Sequence, residues 1–336
     1  MDLVLGLGLL FGVLVLFSVF SWKAPKGQVA MSGLADAAVA SFLVEAIHFY
    51  IFGNSLNIAF LGEVGSVSGG MGGVAACAMV ALHMGASPVL ALSAAIACGG
   101  QGILPGFIAG YAIGFIAPIC EKKLPEGVNV IFGALFCSAV ARLIAVIVAP
   151  GVTAALEFIG GAITIAAEQQ PVVMGILLGG IMKIICTAPL SSMALTAMLG
   201  LTGLPMGIAA VACFGGSFTN ALIFKRLKLG DNGRVIAVML EPLTQADIIT
   251  KNPLPIYGSN FFGGAISGAA AALLGIVNNA PGTASPIPGL LAPFAFNDPA
   301  KVALAMALAA VGGTIAGFVG SMVFKKLGFG NDVVPN

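Results

Sequence analysis

From Leu3 to Phe20 the chain reads LVLGLGLLFGVLVLFSVF, 18 residues without a charge. That is close to the roughly 20 residues a helix needs to cross a hydrocarbon core about 30 Å thick. The run has company throughout the sequence. Hydrophobic residues fill 59% of the 336 positions and charged residues only 8%, against about 25% charged in an ordinary soluble domain, so the chain needs lipid around it. Asp2 stands where a secretory signal has a basic start, and SWKAPKG follows where such a signal has small residues. The first run is therefore expected to be a retained helix.

The formal net charge is +1, and no basic cluster is interleaved with aromatics, which argues against nucleic acid as a partner. Six cysteines, Cys77, Cys98, Cys120, Cys137, Cys186 and Cys213, lie in or at the ends of apolar segments and form no C-x-x-C pair. They read as small buried hydrophobes, not as a disulfide framework or a zinc site. No metal or other cofactor is expected. The phosphate-binding pattern G-x-x-x-x-G-K-[ST] is missing, so this chain does not draw on ATP by that route.

Glycine, at 47 residues, is spread through the apolar segments, as in GEVGSVSGGMGG (62–73) and GGQGILPGFIAGYAIG (99–114). Small residues at such positions either let helices approach closely or break them. Basic residues gather in four polar joints: Lys23 and Lys26; Lys122 and Lys123; KRLKLGDNGR (225–234); Lys325 and Lys326. All four are expected on the cytoplasmic side. An even number of crossings then separates consecutive joints, with helices near 28–51, 65–85, 87–120 (two), 127–149, 153–188 (two), 204–224, 256–277 and 300–324. The expected architecture is an all-α polytopic membrane protein with about eight to ten transmembrane helices and two re-entrant helical pieces.

The first re-entrant piece lies near 190–204, where Pro189 and Pro205 bracket LSSMALTAMLGLTGL. Ser192 and Thr196, four apart, share a face if it is helical. The second lies near 241–252. Pro242 suits a first helical position, and Asn252 before Pro253 ends the helix. About ten residues at about 1.5 Å each span only ~15 Å, half a bilayer. The unpaired ends of so short a helix at membrane depth must be buried in protein or face a watery cavity.

Glu241 stands at the N-terminal end of that second piece, with Thr244 and Gln245 three and four residues on and so on its side. A carboxylate, a hydroxyl and an amide on one spot suit a polyol, accepting and donating to its hydroxyls. Asp247 is a further candidate on another side of the turn, and Ser191, Ser192, Asn220 and His48 complete the candidate binding residues. The alternative for 239–258 is a cytoplasmic amphipathic loop with Glu241 and Asp247 solvated. Elsewhere, Glu45 and His48 are spaced to pair on one helix face, as a proton site or in an interfacial helix with Asp36. Arg142 and Lys183 lie in apolar runs and need partners, with Glu157 and Glu168 as candidates, or must snorkel. The stretch NNAPGTASPIPG (278–289) reads as a loop, either an external lid or a connector.

EPLTQADIITKNPLPIYGSNFFGGAISGA resembles the Glu-Pro signature region and following Gly-rich helix of the membrane-embedded enzyme IIC components of the bacterial phosphoenolpyruvate-dependent sugar phosphotransferase system. TAPLSSMALTAMLGLTGLPMGIAAVACFGGSFTNALIF more closely resembles the stand-alone branch that includes PfoR-type toxin-expression regulators. The resemblance is clearest over 170–325. It implies a multi-pass protein of the bacterial inner membrane, a homodimer with a fixed interface part (1–150) and a moving transport part (151–336). It also implies a sugar or polyol substrate, separate IIA and IIB partners, and for Glu241 a contact near the hydroxyl to be phosphorylated. Two departures stand out: VML precedes the Glu where glucose-type members have Gly-Ile-Thr, and neither His48 nor His83 matches their sugar-contacting histidine. The leading expectation is a permease subunit working by an elevator-type movement, with no catalytic residue of its own. The alternatives are a transport-inactive membrane sensor of the same fold that regulates gene expression, and an ion-coupled secondary transporter using Glu45, His48 and Glu63.

Overall fold

The computed structural model describes residues 12, 15–16, 19–125, 127–188, 192–199 and 201–330. The opening helix expected at 3–20 lies largely outside the described residues, as do Pro189 and Ser191. Among the described residues every regular element is a helix. The chain divides into two compact units, one of Val15–Glu157 and one of Phe158–Asn336 together with Met1–Leu14.

In the first of these units α1 (Gly27–Asn54) is followed by α2 (Ala59–Gly70) and α3 (Gly72–His83), bent by 58° at the break between them. Then come α4 (Pro88–Ala97), α5 (Ile103–Lys123) and the start of α6 (Val128–Gln169). α3 packs on α1, α4 and α5. The crossings are close because the contacts are glycines: a Cβ added to Gly33 would lie 2.8 Å from the Cα of Val80, and one on Gly110 would lie 2.8 Å from the Cα of Cys77. Leu90, Ile113, Cys77, Cys98 and Cys137 share the core. Arg142 on α6 donates to the main-chain carbonyls of Gly99 at 2.8 Å and Ala97 at 3.3 Å. The carboxylate partner expected for it is replaced by the carbonyls a helix end leaves unpaired.

Glu45 and His48 do not pair. Two π-helical stretches, Val39–Leu43 and Ala46–Ser55, run through this part of α1, and their wider turns spoil the three-residue register that an α-helix would give. His48 Nδ1 instead faces the Val44 carbonyl at 3.2 Å. Asp36 pairs with His83 at 3.1 Å.

The second unit is built on four long helices, α7 (Pro171–Thr187), α9 (Gly203–Leu227), α12 (Pro253–Leu273) and α14 (Pro299–Lys326). Of these α7 with α12, α9 with α12 and α14, and α12 with α14 pack side by side. Polar side chains tie the bundle: Thr219 donates to the Gly313 carbonyl at 2.8 Å, and Arg226 donates to the Ser321 hydroxyl at 2.6 Å while lying 4.3 Å from the Phe318 ring. Between the long helices lie short pieces: α8 (Ser192–Met198), α10 (Asn232–Leu240), a 3₁₀ turn (Pro242–Gln245), α11 (Ala246–Lys251), α13 (Pro286–Leu291) and a second 3₁₀ turn (Ala292–Ala295).

Among the described residues five helices are long and apolar enough to cross a membrane, or six if α2 and α3 form one bent span. That is fewer than the eight to ten expected: the run at 3–20 lies largely outside the described residues, α7 at 17 residues is short of a span, and α12 is not among the five. Val128–Gln169 forms one 42-residue helix that runs through Pro150, where separate helices at 127–149 and 153–188 were expected. α4 has only 10 residues, about 15 Å of rise and half of what a span needs. The five differ in surroundings: over an apolar stretch of 18 residues, only 22% of Val128–Ile159 is buried in protein, against 78% of Gly203–Leu227. The first leaves most of its apolar surface uncovered by the rest of the chain; the second is at the centre of its bundle.

Candidate binding site

Asp231 opens α10 by accepting the Arg234 main-chain N–H at 2.8 Å, a standard way to satisfy a helix start. The helix stops at Leu240 because Pro242, with no N–H and a ring that clashes with the preceding turn, cannot continue it. Glu241 is left in an extended conformation at the joint, and its Oε1 accepts the Leu243 N–H at 3.4 Å, capping the 3₁₀ turn that follows. Val238, Ile248 and Ile249 flank the joint and pack with Ile223, Phe224, Leu227 and Ile256 of α9 and α12. That apolar cluster holds a chain break inside the unit. Glu241 is consequently only 6% exposed.

The other carboxylate oxygen, Oε2, is buried and has no hydrogen-bond partner. The hydroxyl of Ser285 is in the same condition, 1% exposed and unpartnered, although it lies close enough to favour the Glu241 carboxylate. Ser285 ends the loop between α12 and α13, which is no external lid. Asn278, Thr283 and Ala284 are fully buried. Asn278 donates to the Thr283 hydroxyl at 2.8 Å and accepts from the Ala280 N–H at 3.0 Å. The loop is anchored at the start of α9, where Asn278 N–H donates to the Gly203 carbonyl at 2.9 Å and Gly203 N–H to the Asn279 side chain at 3.0 Å. A polar loop can run through a bundle only when its backbone groups are matched in this way.

α8 meets the same loop: the Ser192 hydroxyl donates to the Ala284 carbonyl. From α7 comes Lys183, wholly buried, its ammonium donating to the Cys213 carbonyl at 3.4 Å and to the Cys186 sulfur at 3.9 Å. Glu241 lies outside the five candidate spans. Burial pushes its carboxyl pKa up to about 8, with Cys186 adding to the rise and the Leu243 N–H, Lys183 and Ser285 opposing it. One helix joint, one loop end and two helices thus bring an acid, two hydroxyls and an ammonium into one neighbourhood.

A family model described as "Phosphotransferase system, EIIC" matches residues 29–333. The chain belongs to the EIIC family. It is accordingly a sugar-specific permease component and a multi-pass membrane protein, and the resemblance read from the Glu-Pro region agrees with the match. EIIC membership in general implies a sugar as substrate and IIA and IIB proteins as partners. No curated protein and no solved structure matches the chain.

The EIIC fold distributes the residues singled out in the sequence unevenly. Ser192 and Glu241 stand beside the buried loop. Thr244 is exposed, and its hydroxyl donates to the Glu241 main-chain carbonyl at 2.8 Å, not to the carboxylate. Gln245 is buried; its amide donates to the Thr244 hydroxyl at 3.3 Å and its oxygen accepts from Arg234 at 3.4 Å. Asp247 faces outward and pairs with Arg234 at 3.2 Å. Asn220 accepts from Asn260 at 2.6 Å in the α9–α12 contact. His48 belongs to the other unit, and Ser191 lies outside the described residues. Ser285 was not among the candidate residues, and Lys183 had no expected role at the site. Ser285 carries no local signal beyond the proline after it, and Lys183 signalled only that a buried cation wants a partner.

Proposed function

We propose that the chain binds a sugar or related polyol at Glu241 and carries it across the bacterial inner membrane as the IIC subunit of a phosphotransferase. The observation that carries this reading is that two buried polar atoms near each other, Glu241 Oε2 and Ser285 Oγ, both lack a partner at hydrogen-bond distance. An unsatisfied buried polar group costs about 1–3 kcal/mol, and a polyol answers both with one chemistry: a hydroxyl donates to the carboxyl oxygen, and a neighbouring oxygen accepts from the serine. Lys183, Ser192, Glu241 and Ser285 all belong to one compact unit, so an elevator-type displacement of that unit would move the site intact. Separate IIA and IIB proteins, docking on the cytoplasmic joints, would phosphorylate the sugar on arrival, and the subunit would work as a homodimer.

Glu241→Gln tests the reading. Since Oε1 is held by the Leu243 N–H, the substitution turns the free oxygen into an NH₂ that donates but does not accept. Sugar binding to the purified protein is expected to fall by roughly 10- to 100-fold, since a donor now faces a donor and a buried polar group left unsatisfied costs about 1–3 kcal/mol, with the fold retained. Unchanged binding in the folded variant would sink the proposal.

A further inference from the structure

Lys183 is among the largest fully buried side chains of the described residues, and it ends in an ionisable amine. Its helix could have spared that cost by placing the ammonium at a membrane interface, as long basic side chains do. The surrounding helices are instead cut away to admit it. A Cβ added to Gly216 of α9 would overlap the lysine methylenes, and one on Gly264 of α12 would lie 2.5 Å from its Cβ. The stem therefore runs in a channel between two glycines, and the head is held at a fixed depth.

The head is poorly served there. An ammonium has three protons, and its protein acceptors are one carbonyl at 3.4 Å and one thiol at 3.9 Å, both beyond a good N–H···O length of about 2.9 Å. Among the described residues the ion pairs are His83 with Asp36 and Arg234 with Asp247, so no carboxylate among them touches Lys183. Glu241 is near enough to feel its charge without being in contact. The helix that carries Lys183 packs on the 3₁₀ turn that Glu241 opens, and both groups there have unused hydrogen-bonding capacity.

We propose that Lys183 is a second ligand-binding residue, its ammonium donating to one oxygen of the ligand whose neighbouring hydroxyl donates to Glu241. The inference rests on the polyol reading of the Glu241 site and narrows the ligand to one with two adjacent oxygens. At least one of them must be a hydroxyl that can donate. A purely structural lysine would be better replaced by methionine, which fills the same channel without the cost of a buried charge.

The test uses the purified full-length protein and a panel of D-glucose, D-galactose, D-mannose, D-mannitol and D-glucitol, screened by thermal shift and measured by calorimetry. For the panel member that binds, Lys183→Met is expected to weaken affinity at least 10-fold while the ligand-free melting temperature stays level or rises. Deoxy analogues of that sugar add a second reading. One of them should lose affinity in the wild type yet bind Lys183→Met as well as the parent sugar does. Wild-type affinity in Lys183→Met, or a clear fall in its ligand-free melting temperature, overturns the proposal. Should Glu241→Gln still abolish binding in that case, the polyol site survives without Lys183. Should no panel member bind the wild type, both readings fall together.

Discussion

Gly175 on α7 lies against Gly268 on α12 so closely that a Cβ added to Gly175 would sit 2.6 Å from the Gly268 carbonyl oxygen. Gly179 and Gly264 repeat the contact one turn along. Backbones that touch in this way gain packing that side chains would forbid. The crossing also sets where Lys183, on α7 beyond Gly179, enters the bundle. Gly175→Ala is expected to destabilise the protein by about 1–3 kcal/mol through overpacking, read as a lower melting temperature in detergent. Gly151, with nothing within 4 Å of its added Cβ, is the control and should tolerate alanine.

Glu241 gives the protein a pH-dependent stability of definite sign. Its carboxyl is raised by burial to about 8, whereas in the unfolded chain it titrates near 4.3. Between those values the folded state holds the proton more tightly than the unfolded state. The contribution is therefore full below the unfolded value and is lost as pH rises towards the folded one. Melting temperatures should decline across that window and level off above it. Glu241→Gln should flatten this component of the profile; an unaltered slope would contradict the burial argument.

The two serines beside the buried loop should behave differently. Ser285 has no partner at hydrogen-bond distance and only the nearby Glu241 carboxyl to lose, so Ser285→Ala is expected to lower the melting temperature less than Ser192→Ala does and to weaken ligand binding by roughly 2- to 10-fold, one neutral hydrogen bond. Ser192 donates to the Ala284 carbonyl, so Ser192→Ala strands a buried acceptor and is expected to destabilise by about 1–3 kcal/mol. Paired melting and binding measurements on the two variants separate these outcomes.

Asp247 pairs with Arg234 at the surface, where both side chains are about half exposed at 51% and 47%. Such pairs contribute about 0–1 kcal/mol. Asp247→Asn is expected to leave ligand affinity at the wild-type value and to shift stability by less than that amount. Calorimetry on this variant beside Glu241→Gln checks that the binding function belongs to the inward acid and not to the outward one.

What could be read along the chain were features with local causes. A joint at Glu241 follows from Pro242, and the apolar runs follow from composition. The Glu-Pro region pointed to the EIIC family, which the family match shows. Features that depend on neighbours distant in sequence were misread or left open. Separate helices were expected at 127–149 and 153–188, but Pro150 sits inside a continuous helix. The run at 278–289 read as a loop, an external lid or a connector, and its burial, which rules out the lid, depends on Asn278 and Thr283 satisfying each other and their own backbone. Glu45 and His48 had the spacing of a pair, and π-helical turns removed it.

By itself the sequence determined that the chain needs lipid, that its regular structure is helical, and that a carboxylate stands at a helix joint. Hydrophobicity, glycine spacing and the missing N–H of proline act within a few residues and so can be seen one residue at a time. Only the tertiary structure decided that Glu241 shares its surroundings with Lys183, Ser192 and Ser285. Those side chains come from segments far apart in the chain, and they meet because glycine contacts let the helices close on one another and a self-satisfied loop can pass between them.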